Sequence, residues 1–160
     1  MKKIISILLL VVLFTACEED SSFNTPAMQG KLENVFWRAV DSKAVLDEDG
    51  ALTITGLARL QTLVLRTSSK NKGTYILGNS NSRYATFEQD YEDTVLTYQT
   101  GKDIGGNGQI VITEFDVEGG TVSGNFRFNA VNDENNPLGG ELINFNQGVF
   151  YKVPVIALTD

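Results

Sequence analysis

Between Thr121 and Val131 apolar and polar residues alternate without a break. Val122, Gly124, Phe126, Phe128 and Ala130 fall on one side; Thr121, Ser123, Asn125, Arg127 and Asn129 fall on the other. Successive side chains of a strand point to opposite faces, so this run reads as a half-buried antiparallel strand with one dry and one wet face. Gln109–Asp116, where Ile110 and Ile112 share a face, precedes it across Glu118-Gly119-Gly120, and the two read as a hairpin. The same period continues back to residue 34, with strands predicted at Val35–Val40, Leu52–Leu57, Leu60–Thr67, Thr74–Leu77, Arg83–Glu88, Thr94–Thr100, Leu142–Asn146 and Val149–Val155. Asp49-Gly50 is a hairpin signal, and Gly73, Gly78 and the Gly105–Gly108 run supply positive φ at turns. Gly105–Gly108 is read as a hairpin loop; no Lys-Ser/Thr and no helix follows to make it a phosphate loop. Tyr84, Phe87 and Tyr91 sit at helical spacing, yet Thr86, Thr94, Val95 and Thr97 around them oppose a long helix. The expected fold is all-β, a single antiparallel sandwich or barrel-like domain of about 8–10 short strands. It occupies residues 27–160 and carries no internal repeat.

The residues before it are of another kind. Lys2 and Lys3 form a basic start, and Ile4–Phe14 is an apolar stretch. Eleven residues rise only about 16 Å as a helix, against roughly 30 Å of bilayer core, so a spanning helix is not expected. Residues 1–16 read as a signal peptide. The string Leu13-Phe14-Thr15-Ala16-Cys17 resembles the lipobox of bacterial lipoproteins, departing from it at Phe14, where Leu is usual. The resemblance implies cleavage between Ala16 and Cys17 and acylation of Cys17. A single acyl chain holds a protein only marginally, at about 0.8 kcal/mol per buried CH₂. The diacylglycerol and amide-linked chain of this class anchor durably. Residues 17–26 then form the lipidated cysteine and an acidic tether that reaches about 30 Å when extended. Glu18, Glu19 and Asp20 resemble the surface-export signal of Bacteroidota lipoproteins; a plain solvated linker accounts for them equally well. The expected location is the outer membrane, lipid-anchored, facing either the surface or the periplasm.

The body carries a resemblance of its own. Met28-Gln29-Gly30-Lys31-Leu32-Glu33-Asn34-Val35-Phe36-Trp37-Arg38-Ala39 is similar to the opening of a family of small Bacteroidota secreted lipoproteins of unknown function: a strand, a glycine turn and a Trp-x-Ala strand. Gly73–Leu77, Val122–Ala130 and Ile143–Pro154 match its later strands in order, so the resemblance covers roughly residues 28 to 156. The family favours Gly where this chain has Asn34, and Asn tolerates the left-handed turn. The resemblance implies an envelope protein of unassigned activity and supplies no catalytic residue.

Composition narrows the chemistry. The chain has no histidine, and Cys17 is its one cysteine, so imidazole acid/base catalysis, Cys-His nucleophiles, the common zinc sites and intrachain disulfides are excluded. Cleavage before Cys17 leaves 11 basic against 20 acidic groups, a charge of −9. Such a surface repels nucleic acid. Carboxylates are what remains. Asp47 and Asp49 cluster around Glu48 without the spacing of a calcium loop; Glu114, Asp116 and Glu118 would share one face of a strand. These are weak cation candidates, as is the Asp133–Asn136 loop, and no metal or cofactor is implied. A pair among Glu88, Asp90, Glu114, Asp116 and Glu118 would suit a polysaccharide hydrolase if held in a cleft. Phe36 and Trp37 must face opposite sides of a strand. Trp37 is expected in the core, leaving Phe36 as a stacking platform. Five tyrosines and thirteen asparagines would suit a polar binding surface. The leading expectation is a non-enzymatic binding or structural module with a membrane anchor and a glycan or envelope protein as partner. A carboxylate hydrolase and a lipocalin-like carrier are the alternatives, the last requiring a hollow interior.

Overall fold

The computed structural model describes residues 27–133 and 136–157. The expected signal peptide with Ala16, the expected lipidation site Cys17, and Glu18, Glu19 and Asp20 of the expected tether lie outside the described residues, as do Glu134, Asn135 and residues 158–160. All regular structure among the described residues is strand: β1 (Ala27–Leu32), β2 (Val35–Arg38), β3 (Asp41–Leu46), β4 (Leu52–Ala58), β5 (Gln61–Thr67), β6 (Gly73–Leu77), β7 (Tyr84–Tyr91), β8 (Thr94–Gln99), β9 (Asn107–Asp116), β10 (Thr121–Asn132) and β11 (Leu142–Ala157). They form one mixed sheet in the order β2-β1-β11-β3-β4-β5-β7-β8-β10-β9-β6, and β10 pairs with β11 as well. That extra pairing makes the sheet barrel-like. β3, β4, β5, β7, β8, β10 and β11 follow one another around a ring of paired strands.

The long hairpin β10–β11 is the hinge of this arrangement. One edge of β10 pairs with β9 from Thr121 to Asn129 and then with β8 at Val131 and Asn132. One edge of β11 likewise serves β1 through Tyr151 and then β3 from Val155. Two layers result, β2-β1-β11-β10-β9-β6 and β3-β4-β5-β7-β8, joined at both ends of the hairpin. Such layers must bury their apolar faces against each other. Phe87 of β7 meets Phe145 of β11 with ring centroids 6.2 Å apart, across the interior. Phe145 also touches Trp37, Phe126 and Phe128, so the rings of both layers fill the centre. Phe87, Phe126, Phe128, Phe145 and Phe150 are all essentially inaccessible.

Several expectations need correction. The sheet has eleven strands and is not wholly antiparallel, because β11 and β3 run parallel. β3 was not foreseen: in Asp41–Leu46 only Ala44 is fully buried, so its dry face leaves little apolar signal. Val35–Val40 is not one strand. It stops at Arg38, and Ala39 and Val40 turn the chain into β3 by donating to the carbonyls of Met28 and Leu57. The two segments predicted after Leu142 are one strand with an irregularity beside Gln147, whose φ is 50°. Gly105–Gly108 is not a hairpin loop, since β8 and β9 do not pair with each other; the run shifts the chain from one stretch of β10's edge to the next. Ser123, assigned to the wet face, is buried at a register shift, where its Oγ accepts the Lys152 N–H at 3.0 Å. The Asn34 turn agrees with expectation. Glu33 and Asn34 have φ of 49° and 66°, the two-residue hairpin geometry that Asn adopts readily.

Beyond the rings, the fold depends on a few satisfied buried polar groups. Thr100 is fully buried, and its Oγ1 accepts the Ala85 N–H at 2.9 Å. Thr100→Val keeps the shape and strands that donor, so a loss of about 1–3 kcal/mol is expected in urea unfolding. A loss under 0.5 kcal/mol would show that another group satisfies the donor.

Candidate functional site

The outward side of the β2-β1-β11-β10-β9-β6 layer is built by strand alternation. With Trp37, Met28, Phe145, Phe126, Ile110 and Leu77 turned inward, their neighbours must turn outward. Cross-strand register then aligns those neighbours in rows. One row runs from Phe36 to Lys31 to Asn146 on one side of the β10–β11 irregularity, and from Arg127 through Gln109 to Ile76 on the other. A second contains Asn144, Asn129 and Asn107. A third contains Arg38, Gln29, Val149, Asn125 and Val111. Six strands at a spacing of about 4.8 Å make this face roughly 24 Å wide.

Its side-chain amides form a directed chain. Asn146 Nδ2 donates to Asn144 Oδ1 at 2.8 Å, Asn144 Nδ2 to Asn129 Oδ1 at 2.7 Å, and Asn129 Nδ2 to Asn107 Oδ1 at 3.0 Å. Arg127 donates to Gln109 Oε1 at 3.3 Å in the next row. A primary amide has two N–H groups and two lone-pair directions, so each linked amide keeps capacity for a ligand. These residues line a groove of about 400 Å³ that includes Ile76 and has no carboxylate in its wall. Three cations, Lys31, Arg38 and Arg127, stand on the outward rows. Glu33 in the β1–β2 turn accepts the Asn144 backbone N–H, and the acids of β9, Glu114 and Asp116, lie at its far end opposite Ser123 and Thr121.

Beside β2 lies a second groove, of about 930 Å³, lined by Phe36, Trp37, Arg38, Leu60, Gln61 and Asp90 among others. Here the sequence expectation holds: Trp37 is 5 % exposed and Phe36 64 %. The indole N–H donates to Gln61 Oε1 at 2.8 Å, and that amide donates to Gln89 at 3.4 Å. Trp37 therefore presents a satisfied edge to the groove, while Phe36 and Arg38 stand where the groove meets the amide face.

The carboxylates flagged in the sequence are dispersed. Asp47 forms an ion pair with Arg66 at 2.6 Å, and Asp49 is exposed in the β3–β4 turn. Glu114, Asp116 and Glu118 do not share a strand face, since β9 ends at Asp116 and Glu118 belongs to the following turn. Asp116 instead accepts the Gly119 N–H at 2.9 Å. Glu88 and Asp90 lie on β7, which is not a neighbour of β9. Among the described residues no three Asp or Glu side chains are grouped so as to hold a metal ion. Asn132, before the Asp133–Asn136 segment, spends its amide on the loop itself, bonding Asn136 and the Gly140 carbonyl. The groups that do converge are amides.

A known family covers the same stretch of chain: residues 24–154 match the domain of unknown function DUF6252. The chain belongs to the DUF6252 family. The match takes in the opening turn, the Trp37 strand and the β10–β11 hairpin, and so both layers of the DUF6252 domain. No curated protein and no solved structure matches the chain.

Proposed function

We propose that this DUF6252 protein is a lipid-anchored component of the outer membrane whose β domain is a non-enzymatic binding module. One observation carries the binding reading: the in-register amide and cation face of the β10–β11 layer. Asn is disfavoured in strands, and outward positions of central strands are where such a choice is least explained by packing. Local preferences give way most often at functional sites. A hydrolase reading finds Glu88 and Asp90 of β7 and Glu114 of β9 exposed rather than one carboxyl buried beside an ionised partner, and a lipocalin-like carrier would need space where five phenyl rings pack. The anchor reading rests on the string ending in Cys17 and the acidic residues after it.

Metabolic labelling with radioactive palmitate in a bacterial host tests the anchor. Label is expected on the wild-type protein and absent from Cys17→Ala. An unlabelled wild type overturns the anchor. Protease added to intact cells is expected to clip the domain, as Glu18-Glu19-Asp20 acting in surface export requires; complete protection assigns the periplasmic side. Release of reducing ends from polysaccharide by the purified protein would end the non-enzymatic reading.

A further inference from the structure

We infer that the outward face of β2-β1-β11-β10-β9-β6 binds an acidic polysaccharide laid across the strands, a reading that rests on the binding role proposed above and names its ligand. Charge is the first argument. The chain after residue 16 carries −9, yet the outward rows of this face hold Arg38, Lys31 and Arg127, and the groove wall holds Arg127 and no acid, with the carboxylate that bonds a wall residue, Glu33, turned to the Asn144 backbone N–H. A local positive site on an acidic domain selects an anionic partner and discourages contact elsewhere on the molecule. Arg127 has a planar fork suited to a carboxylate or sulfate.

Hydrogen bonding is the second argument. The Asn146–Asn144–Asn129–Asn107 chain fixes four amides in one direction. Each offers a donor beside an acceptor, which is what a pair of neighbouring sugar hydroxyls requires. Because every linked amide is already held by its neighbour, little rotamer freedom remains to be lost on binding. A nucleic acid would meet too few cations for its phosphate density, and an apolar partner would leave these amides unpaired. Phe36 closes the β2 end of the row with an exposed ring on which a pyranose face can stack. The face is long in the direction across the strands, so an extended chain touches Phe36, Lys31, Arg127 and the amides in turn.

Native gel electrophoresis of the full chain in detergent micelles, with polygalacturonate or dextran cast into the gel, tests this. Retardation by polygalacturonate and not by dextran is expected, weakening as salt is raised. Arg127→Gln should raise the apparent Kd about tenfold, equivalent to about 1.4 kcal/mol, and the Asn129→Ala/Asn144→Ala pair by at least as much. Arg127→Lys should recover part of the retardation. Lys43→Gln, an equal change of charge on β3, should leave it unaltered. Thermal melts of each variant separate lost binding from lost fold. The inference is overturned by no retardation in polygalacturonate, by equal retardation in dextran, or by folded face variants that bind like wild type. None of these results touches palmitate labelling or reducing-end release, so the anchor and the non-enzymatic reading stand or fall separately.

Discussion

Phe145→Ala is expected to lower the stability of the domain by about 3–5 kcal/mol, the range for removing a large aromatic ring from a filled core. Phe145 is fully buried and its ring lies 5.3–6.2 Å, centroid to centroid, from Trp37, Phe87, Phe126 and Phe128. Those four come from β2, β7 and β10, so one side chain ties both layers together. Removing it leaves a cavity that backbone fixed by ladders on both sides cannot close. Small domains are stable by only about 5–15 kcal/mol, so a third or more of the total is at stake. Urea unfolding followed by the fluorescence of Trp37, the single tryptophan, reads the change directly because the indole packs edge-on against Phe145 at 5.4 Å. With an m-value of about 2 kcal/mol/M the midpoint should fall by roughly 2 M. Phe36→Ala, the exposed neighbour of Trp37, should move it by no more than about 0.5 kcal/mol. Similar losses for the two variants would contradict the assignment of inside and outside on β2.

Gly124→Val is expected to prevent folding altogether. Gly124 lies on the dry side of β10, where a larger residue would ordinarily add to the core. Its Cα, however, backs onto the carbonyl oxygen of Val111 and the ring of Phe150, and a Cβ would overlap both. The oxygen belongs to β9, in the ladder that pairs with β10, and cannot withdraw without breaking that pairing. The ring is fully buried with no second place to go. Overpacking a core by a methylene costs about 1–3 kcal/mol when side chains can adjust; here the obstacle is backbone, and the cost exceeds that range. Circular dichroism after purification is the measurement, with an unfolded spectrum or loss into aggregates expected. Gly124→Ala should fold at best with a sharply lowered melting temperature. A cooperative melt for Gly124→Val close to the wild type would refute the close approach.

Much of this was legible in the residues. The alternation in Thr121–Val131 places Phe126 and Phe128 inside and Asn125, Arg127 and Asn129 outside, as the structure does. The split of Phe36 from Trp37 follows from the same period. What one strand cannot disclose is register. Asn129 and Asn144 become one array only because β10 and β11 set them opposite each other, and Asn107 joins because β9 aligns with Asn129. The thirteen asparagines pointed to a polar surface without saying which of them meet. β3 stayed hidden because Ala44, Val45 and Leu46 run together instead of alternating; β1 was legible only through the resemblance of Met28–Ala39, since Gly30 sits mid-strand where packing against Phe145 leaves no space for a side chain. The acidic triplet Glu114, Asp116 and Glu118 misled in the opposite way, since its spacing is meaningful only while the strand continues.

The placement of the terminal strands has a consequence for how the chain comes to be folded. β1 pairs with β11, matching Ala27 to Tyr151, and β3 pairs with the end of β11, matching Ala44 to Val155. Both pairings join residues more than 100 positions apart. Contacts so distant in sequence slow folding, because a long loop must close before any contact rewards it. Here the delay also has an order in time. β1 has no partner for its β11-facing edge until β11 has been made or delivered, so this part of the sheet stays open and threadable until β11 arrives.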